Sequence, residues 1–286
     1  MINSLIWLLT VVMYLPSFII LYSGRTNWAL EDYSHIYFIL PISLFLVWQK
    51  REVLKSLFQK EDDSAVRVFL SFIFLLGGIL LFIFGWRNAY DLIYIFSLIP
   101  VLFGLTGYLY GSKVLKALSF PILYFLFLVP PPPAILDSVT LPMRYGVSFA
   151  AEKILSLFTY PVTREGLLLS IGYSEIFMAP ACSGFRSLVT MSALSLPYIY
   201  LIKGRLLNKA ILAISVIPLA LIGNLIRVIT ISLITFYFGT EAGQGFLHNF
   251  SGILIFMVTI LGLTGIESLM DRFTSGKPEI TEAKYE

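Results

Sequence analysis

Cys182 is the only cysteine in the 286-residue chain, and a single thiol excludes an internal disulfide. Histidine is nearly as scarce, with only His35 and His248 present. One Cys and two His without ligand spacing leave no metal site, and nothing in the chain calls for a cofactor. Charged residues are 13% of the sequence, against roughly 25% in a soluble domain, so a water-soluble globular class is excluded. The net charge of +3 is too small to suggest nucleic acid. There is no glycine-rich phosphate loop, no G-x-S-x-G and no internal repeat. Low complexity is limited to the prolines at 130–133 and a short polar tail from Ser275. Residues 1–21 lack the basic start and small-residue cleavage site of a signal peptide and read as a first membrane span.

What the chain has is apolar length. It is 58% hydrophobic with a mean hydropathy of +0.86, and runs long enough to cross a bilayer, about 20 residues, recur throughout. Eight spans are expected, at about 4–22, 34–49, 68–86, 90–110, 115–130, 183–202, 210–237 and 250–270. The fold class is an all-α integral membrane protein, one polytopic domain over 1–286 with a short tail at about 271–286. Pro16, Pro41, Pro121 and Pro218 lie inside spans, where membrane helices tolerate them as kinks.

Orientation follows from the basic residues of the loops. With the N-terminus inside, the cytoplasmic segments hold Lys50, Arg51, Lys55, Lys60, Arg67, Lys113, Lys116, Lys203, Arg205, Lys209, Arg272, Lys277 and Lys284. The outer segments hold only Arg25, Arg87, Arg144, Lys153 and Arg164. Thirteen against five places both termini in the cytoplasm of a multi-pass cell-membrane protein.

One outer segment, about 131–181, stands apart. Its prolines set a stiff exit from the membrane. Between Ile135 and Phe158, apolar residues alternate with Asp137, Arg144, Glu152 and Lys153, a pattern suited to an amphipathic helix in the interface, broken near Pro142. Two strands, 163–171 and 174–178, divided by Gly172-Tyr173, read as a short β-hairpin. The second strand leads directly to Cys182.

Polar residues inside spans are costly and so are functional candidates. Counting from the inner anchors Lys203, Lys209 and Arg272 at about 1.5 Å per residue puts Cys182 ~31 Å, Arg227 ~27 Å and His248 ~36 Å up three consecutive helices. The hydrocarbon core is about 30 Å thick, so all three reach its outer boundary. A thiolate is a nucleophile, an imidazole can take or give its proton, and an arginine can hold an oxyanion. Bland roles compete. Arg227, with Asn224 one turn earlier, suits a structural ion tied to backbone carbonyls. Arg186 suits a lining or pairing role. His35 occupies a similar outer position to His248, and position does not choose between them.

These residues resemble a known family. Ala181-Cys182-Ser183-Gly184 with Arg186-Ser187, then Asn224-x-x-Arg227, then His248-x-x-x-Gly252, is similar to the pattern of the exosortase/archaeosortase membrane transpeptidases. Tyr33-Ser34-His35 resembles the family's N-terminal Tyr-Ser-His-Gly, with Ile36 in place of glycine. The prolines at 131–133 resemble its proline-rich exit, and Arg164-Glu165-Gly166 the start of its outer hairpin. The resemblance implies a sortase-like cysteine enzyme acting at the outer face. Cys182 would attack substrate proteins at a C-terminal sorting signal made of a short motif, a membrane helix and a basic tail. Arg227 would stabilise the oxyanion and His248 would be the general acid/base. Ser183, Arg186, Asn224 and His35 would support or line the site. A lipid or glycan acceptor would resolve the thioacyl enzyme.

Two rivals remain at this level. One is a transporter or accessory protein of a polysaccharide-export system, although the repeats or broken paired helices usual in transporters are not evident. The other is a membrane glycosyltransferase, which would want a carboxylate near its acceptor, whereas Asp137, Glu165, Glu175 and Glu241 are scattered over different loops.

Overall fold

The computed structural model describes residues 2–22, 35–57, 65–129, 132–202 and 204–275. Arg25, Tyr33, Ser34, Lys60, Pro130, Pro131, Lys203, Lys277 and Lys284, used in the sequence reading, lie outside the described residues. The chain divides into two compact units, residues 1–136 and 137–286.

The first unit holds α1 (Ile2–Tyr22), α2 (Ile36–Gln49), α3 (Arg51–Leu57), α4 (Ala65–Arg87), α5 (Asp91–Phe96) and α6 (Leu98–Tyr124), the last followed by a 3-10 turn, Phe125–Leu128. Much of α1 and α4 presents exposed Leu, Ile and Phe, a surface that only lipid or a partner tolerates at this extent. Small residues let α4 and its neighbours approach closely. A Cβ on Gly78 would lie 2.7 Å from Val101 Cγ2, and one on Gly85 2.6 Å from the Tyr94 nitrogen. Without a hydrophobic force between helices in lipid, such packing is what associates them.

The helix breaks are answered by cations. Pro121 inside α6 has no N–H for the Ala117 carbonyl, and Lys50 Nζ donates to that oxygen at 2.7 Å. At Gly111 the backbone leaves helical geometry (φ 89°, ψ 173°). The Gly107 carbonyl, one turn earlier, accepts from Arg67 Nη1 at 3.1 Å. Two basic residues, Lys50 and Arg67, thus serve carbonyls at its kinks.

The second unit holds α7 (Pro133–Leu157, with its first turn in the first unit), three strands β1 (Val162–Glu165), β2 (Leu168–Ile171) and β3 (Ser174–Phe177), a 3-10 turn Pro180–Ser183, then α8 (Phe185–Leu201), α9 (Leu206–Phe238), α10 (Thr240–Asn249) and α11 (Ser251–Ser275). Ala151 and Leu155 of α7, Leu169 and Ile171 of β2, Met178, Cys182 and Val228 form one buried cluster. A second cluster joins α8, α9 and α11 through Met191, Val216, Ala220, Ile255 and Leu263.

Several expectations change. Five stretches among the described residues are long and apolar enough to cross a membrane: Asn3–Tyr22, Ala65–Arg87, Asp91–Leu128, Leu206–Phe238 and Gly252–Met270. The expected spans at 90–110 and 115–130 form one apolar stretch interrupted at Gly111. The 34–49 span is a 14-residue helix, and α8 has 17 residues, or ~26 Å. The all-α membrane class stands; the count of eight does not follow from helix length. α7 runs through Pro142 rather than breaking there. The expected hairpin is a three-stranded antiparallel meander in the order β1-β2-β3.

Candidate active site

Cys182 lies in the 3-10 turn that carries the chain from β3 into α8. Its N–H donates to the Ala179 carbonyl at 2.8 Å. Gly184 then reverses the backbone in the left-handed region (φ 83°) and caps α8. L-residues reach that region at a steric cost, and glycine does not. Space demands glycine as well, because a Cβ there would stand 2.9 Å from Asn224 Nδ2. The Ser183 hydroxyl accepts from the Phe185 N–H at 3.2 Å, filling one of the donors left open at the start of α8.

α9 supplies the facing groups. Asn224 is fully buried and donates from Nδ2 to the Cys182 carbonyl at 3.0 Å. Its Oδ1 has no hydrogen-bond partner among the described residues. Arg227 follows one turn later on the same face, is 8% exposed, and lies near enough to the Cys182 thiol for the two to interact electrostatically. One helix face therefore holds Cys182 at its backbone and sets a guanidinium beside its thiol. Arg186, half-buried in the first turn of α8, comes near enough to Arg227 for their charges to repel. The site concentrates positive charge around a single thiol.

Cys182 is 5% exposed, and what it faces is a cavity of about 370 Å³. β3 and the residues after it, from Glu175 to Ala179, make one wall. Val228, Ile231 and Thr235 of α9, with Thr240, Gly243 and Gln244 around α10, make the other. The C-terminal end of α9 reaches this far because the helix has 33 residues, ~50 Å, well beyond the ~30 Å hydrocarbon thickness. Tyr160 holds that end to the meander: its ring packs edge-on against Phe236, and its hydroxyl meets that of Tyr237 at 3.0 Å. Arg164 ties β1 to α7 through Glu152 at 3.1 Å.

Of the residues singled out from sequence, the second unit brings Cys182, Ser183, Arg186, Asn224 and Arg227 together. His248 belongs to α10, and its side chain lies outside the described residues. The depth count had placed it on one helix with Arg272, whereas the chain breaks at Phe250 between α10 and α11. α10 runs against α9, so closely that Gly243 has no room for a Cβ beside Thr235. His35 sits in the first unit, 1% exposed, with Nε2 3.3 Å from the Phe127 carbonyl. The cavity residues Glu175, Phe177, Thr235 and Gln244 were not anticipated, although a strand leading straight to Cys182 was the available signal. No group of three or more His, Cys, Asp or Glu capable of holding a metal occurs among the described residues.

The family model of transmembrane exosortases matches residues 28–265. No curated protein matches the chain, and no solved structure does.

Proposed function

Because the chain belongs to the transmembrane exosortase family, we propose that Cys182 is the nucleophile of a protein-sorting cysteine transpeptidase. Membership makes it a multi-pass membrane protein of a peptidase and transpeptidase family that acts in protein sorting. The observation that carries the finer reading is the Arg227 guanidinium set beside the only thiol of the chain, at the wall of a cavity.

In this reading the Cys182 thiol passes its proton to His248, and Sγ attacks the carbonyl carbon of the scissile peptide bond. A fixed guanidinium stabilises negative charge on the sulfur and then on the carbonyl oxygen. As the C–N bond breaks, His248 delivers a proton to the leaving amine. A thioester remains on Cys182, and the membrane helix and basic tail of the substrate depart. An acceptor hydroxyl or amine on a surface lipid or glycan precursor then attacks the thioester. His248 takes its proton and the thiol is regenerated. Ser183, Asn224 and Arg186 shape the site. The enzyme sits in the cytoplasmic membrane with both termini inside and the reaction at the outer face.

The direct test is single-turnover incubation of the purified protein in nanodiscs with a synthetic sorting peptide. Intact mass should rise by that of the acyl fragment, with the adduct on Cys182. If no peptide of the motif–span–basic-tail type ever forms an adduct, the reading falls and a transporter role leads.

The histidines separate cleanly. His248→Ala should slow acylation by 10²–10⁴-fold, the range for positioned proton transfer, whereas His35→Ala should lose much less. Rates of adduct formation measure both. Equal losses would remove His248 from its assigned role.

A further inference from the structure

We propose that β3 is the substrate dock: its free edge takes the extended peptide segment beside the scissile bond as a fourth strand. This rests on the reading of Cys182 as nucleophile and names how that nucleophile meets its substrate.

The edge is free by topology. β3 is the outermost strand of the meander, so only one of its sides is used. Which backbone groups point away follows from the register. β2 and β3 are antiparallel, with Ile171 opposite Ser174, Leu169 opposite Ile176 and Leu168 opposite Phe177. The Met178 N–H donates to the Leu167 carbonyl at 2.8 Å. Hydrogen-bonded and non-hydrogen-bonded pairs alternate along an antiparallel ladder. Met178, Ile176 and Ser174 therefore face β2, and Glu175 and Phe177 direct their N–H and C=O groups outward. The Phe177 carbonyl is then taken by the Ala179 N–H at 2.8 Å as the chain turns toward Cys182. Among the described residues, the Glu175 N–H, the Glu175 carbonyl and the Phe177 N–H have no backbone partner and are left at the edge.

Exposed strand edges are normally blunted because they template pairing with another chain. This one borders the cavity that Cys182 lines, with Val228 and Ile231 of α9 on the facing wall. The occupant of such a slot must present main-chain donors and acceptors in extended form, with side chains alternating between the two sides. A peptide substrate does so; a lipid tail does not. Three edge groups pair with about three residues, a strand of roughly 10 Å. Main-chain pairing provides affinity, and pockets for alternate side chains provide specificity. Half-buried Ser174 and Ile176 alternate with exposed Glu175 and Phe177, which supplies that alternation on the enzyme side.

The test uses the wild-type protein in nanodiscs and a synthetic peptide covering the ten residues before the membrane helix of a host protein with a motif–span–basic-tail C-terminus. Each backbone amide upstream of the scissile bond is N-methylated in turn, and acylation of Cys182 is followed by mass. Strand pairing predicts about a tenfold loss in acylation efficiency, the scale of one hydrogen bond, at every second position, with the intervening positions near the parent peptide. Uniform tolerance or uniform loss overturns the proposal.

On the protein side, Glu175→Pro removes the outward N–H without touching the β2–β3 ladder. It should raise the half-saturating peptide concentration about tenfold, a larger effect than on the plateau rate. Glu175→Gln keeps that N–H and should retain the affinity that Glu175→Pro loses. If Gln loses as much as Pro, the carboxylate and not the backbone binds, and the dock is overturned. Should Glu175→Pro fail to fold, the methyl scan on wild type still decides. Failure of the unmethylated peptide to form any adduct sinks the cysteine-enzyme reading itself; an adduct without alternation sinks only the dock.

Discussion

Cys182→Ala leaves a folded, inserted protein that no longer processes a substrate's C-terminus. The fold should survive because the thiol is one small group in a cluster built mainly from Ala151, Leu155, Leu169, Ile171, Met178 and Val228. Its backbone remains held by the Ala179 carbonyl and by Asn224. Activity does not survive, since without Sγ no thioester can form. Cys182→Ser retains a heteroatom for Arg227 to hold, yet an alcohol is a far weaker nucleophile unless a base activates it. Both variants should lose processing of a reporter carrying a sorting signal, read as the ratio of precursor to mature form in cells. Normal processing by a well-expressed Ala variant would eliminate Cys182 as nucleophile. A thiol reagent that cannot cross membranes should label the wild type in intact cells. Labelling only after permeabilisation would reverse the orientation read from the basic loops.

Arg227→Lys should still capture peptide while acylation falls by about 10²–10³-fold, the scale for removing one oxyanion donor. A buried guanidinium in α9 is expensive unless it is used, and here it lies beside the Cys182 thiol. Lysine preserves the charge but replaces a planar fork with a mobile point charge, so binding and folding persist better than turnover. Single-turnover adduct formation separates the two. A structural ion would behave otherwise: Lys would restore stability and near-normal acylation together. A stable Arg227→Lys protein that acylates at the wild-type rate takes Arg227 off the catalytic list.

Much of this site is visible in the linear chain. A lone cysteine at the edge of an apolar run, an arginine one turn after an asparagine, and their similar depth all pointed to one place. Asn224 and Cys182 do meet, at 3.0 Å across 42 residues of sequence. The count that placed His248 failed because it assumed one continuous helix from Arg272. The break at Phe250 makes α10 a separate helix that follows α9, and hydropathy does not register a bend between two helical segments. The third strand was missed for a related reason. Residues 163–171 read as one strand, whereas Gly166, in the left-handed region at φ 61°, turns the chain between β1 and β2.

Lys50 and Arg67 show the same division from the other side. Their charges were read as markers of the cytoplasmic face, a property of each residue against solvent and membrane. That they donate to the Ala117 and Gly107 carbonyls depends on where Pro121 and Gly111 interrupt a helix on another part of the chain. The sequence alone determined the membrane class, the apolar segments and the residue types available for chemistry, because composition and hydropathy act on each segment locally. Only the tertiary structure decided that β3, the C-terminal end of α9 and α10 line a cavity at Cys182. Its walls come from residues 175–182 on one side and 228–244 on the other, and they meet through a meander register, a 33-residue helix and a left-handed glycine, none of which has a periodicity to read.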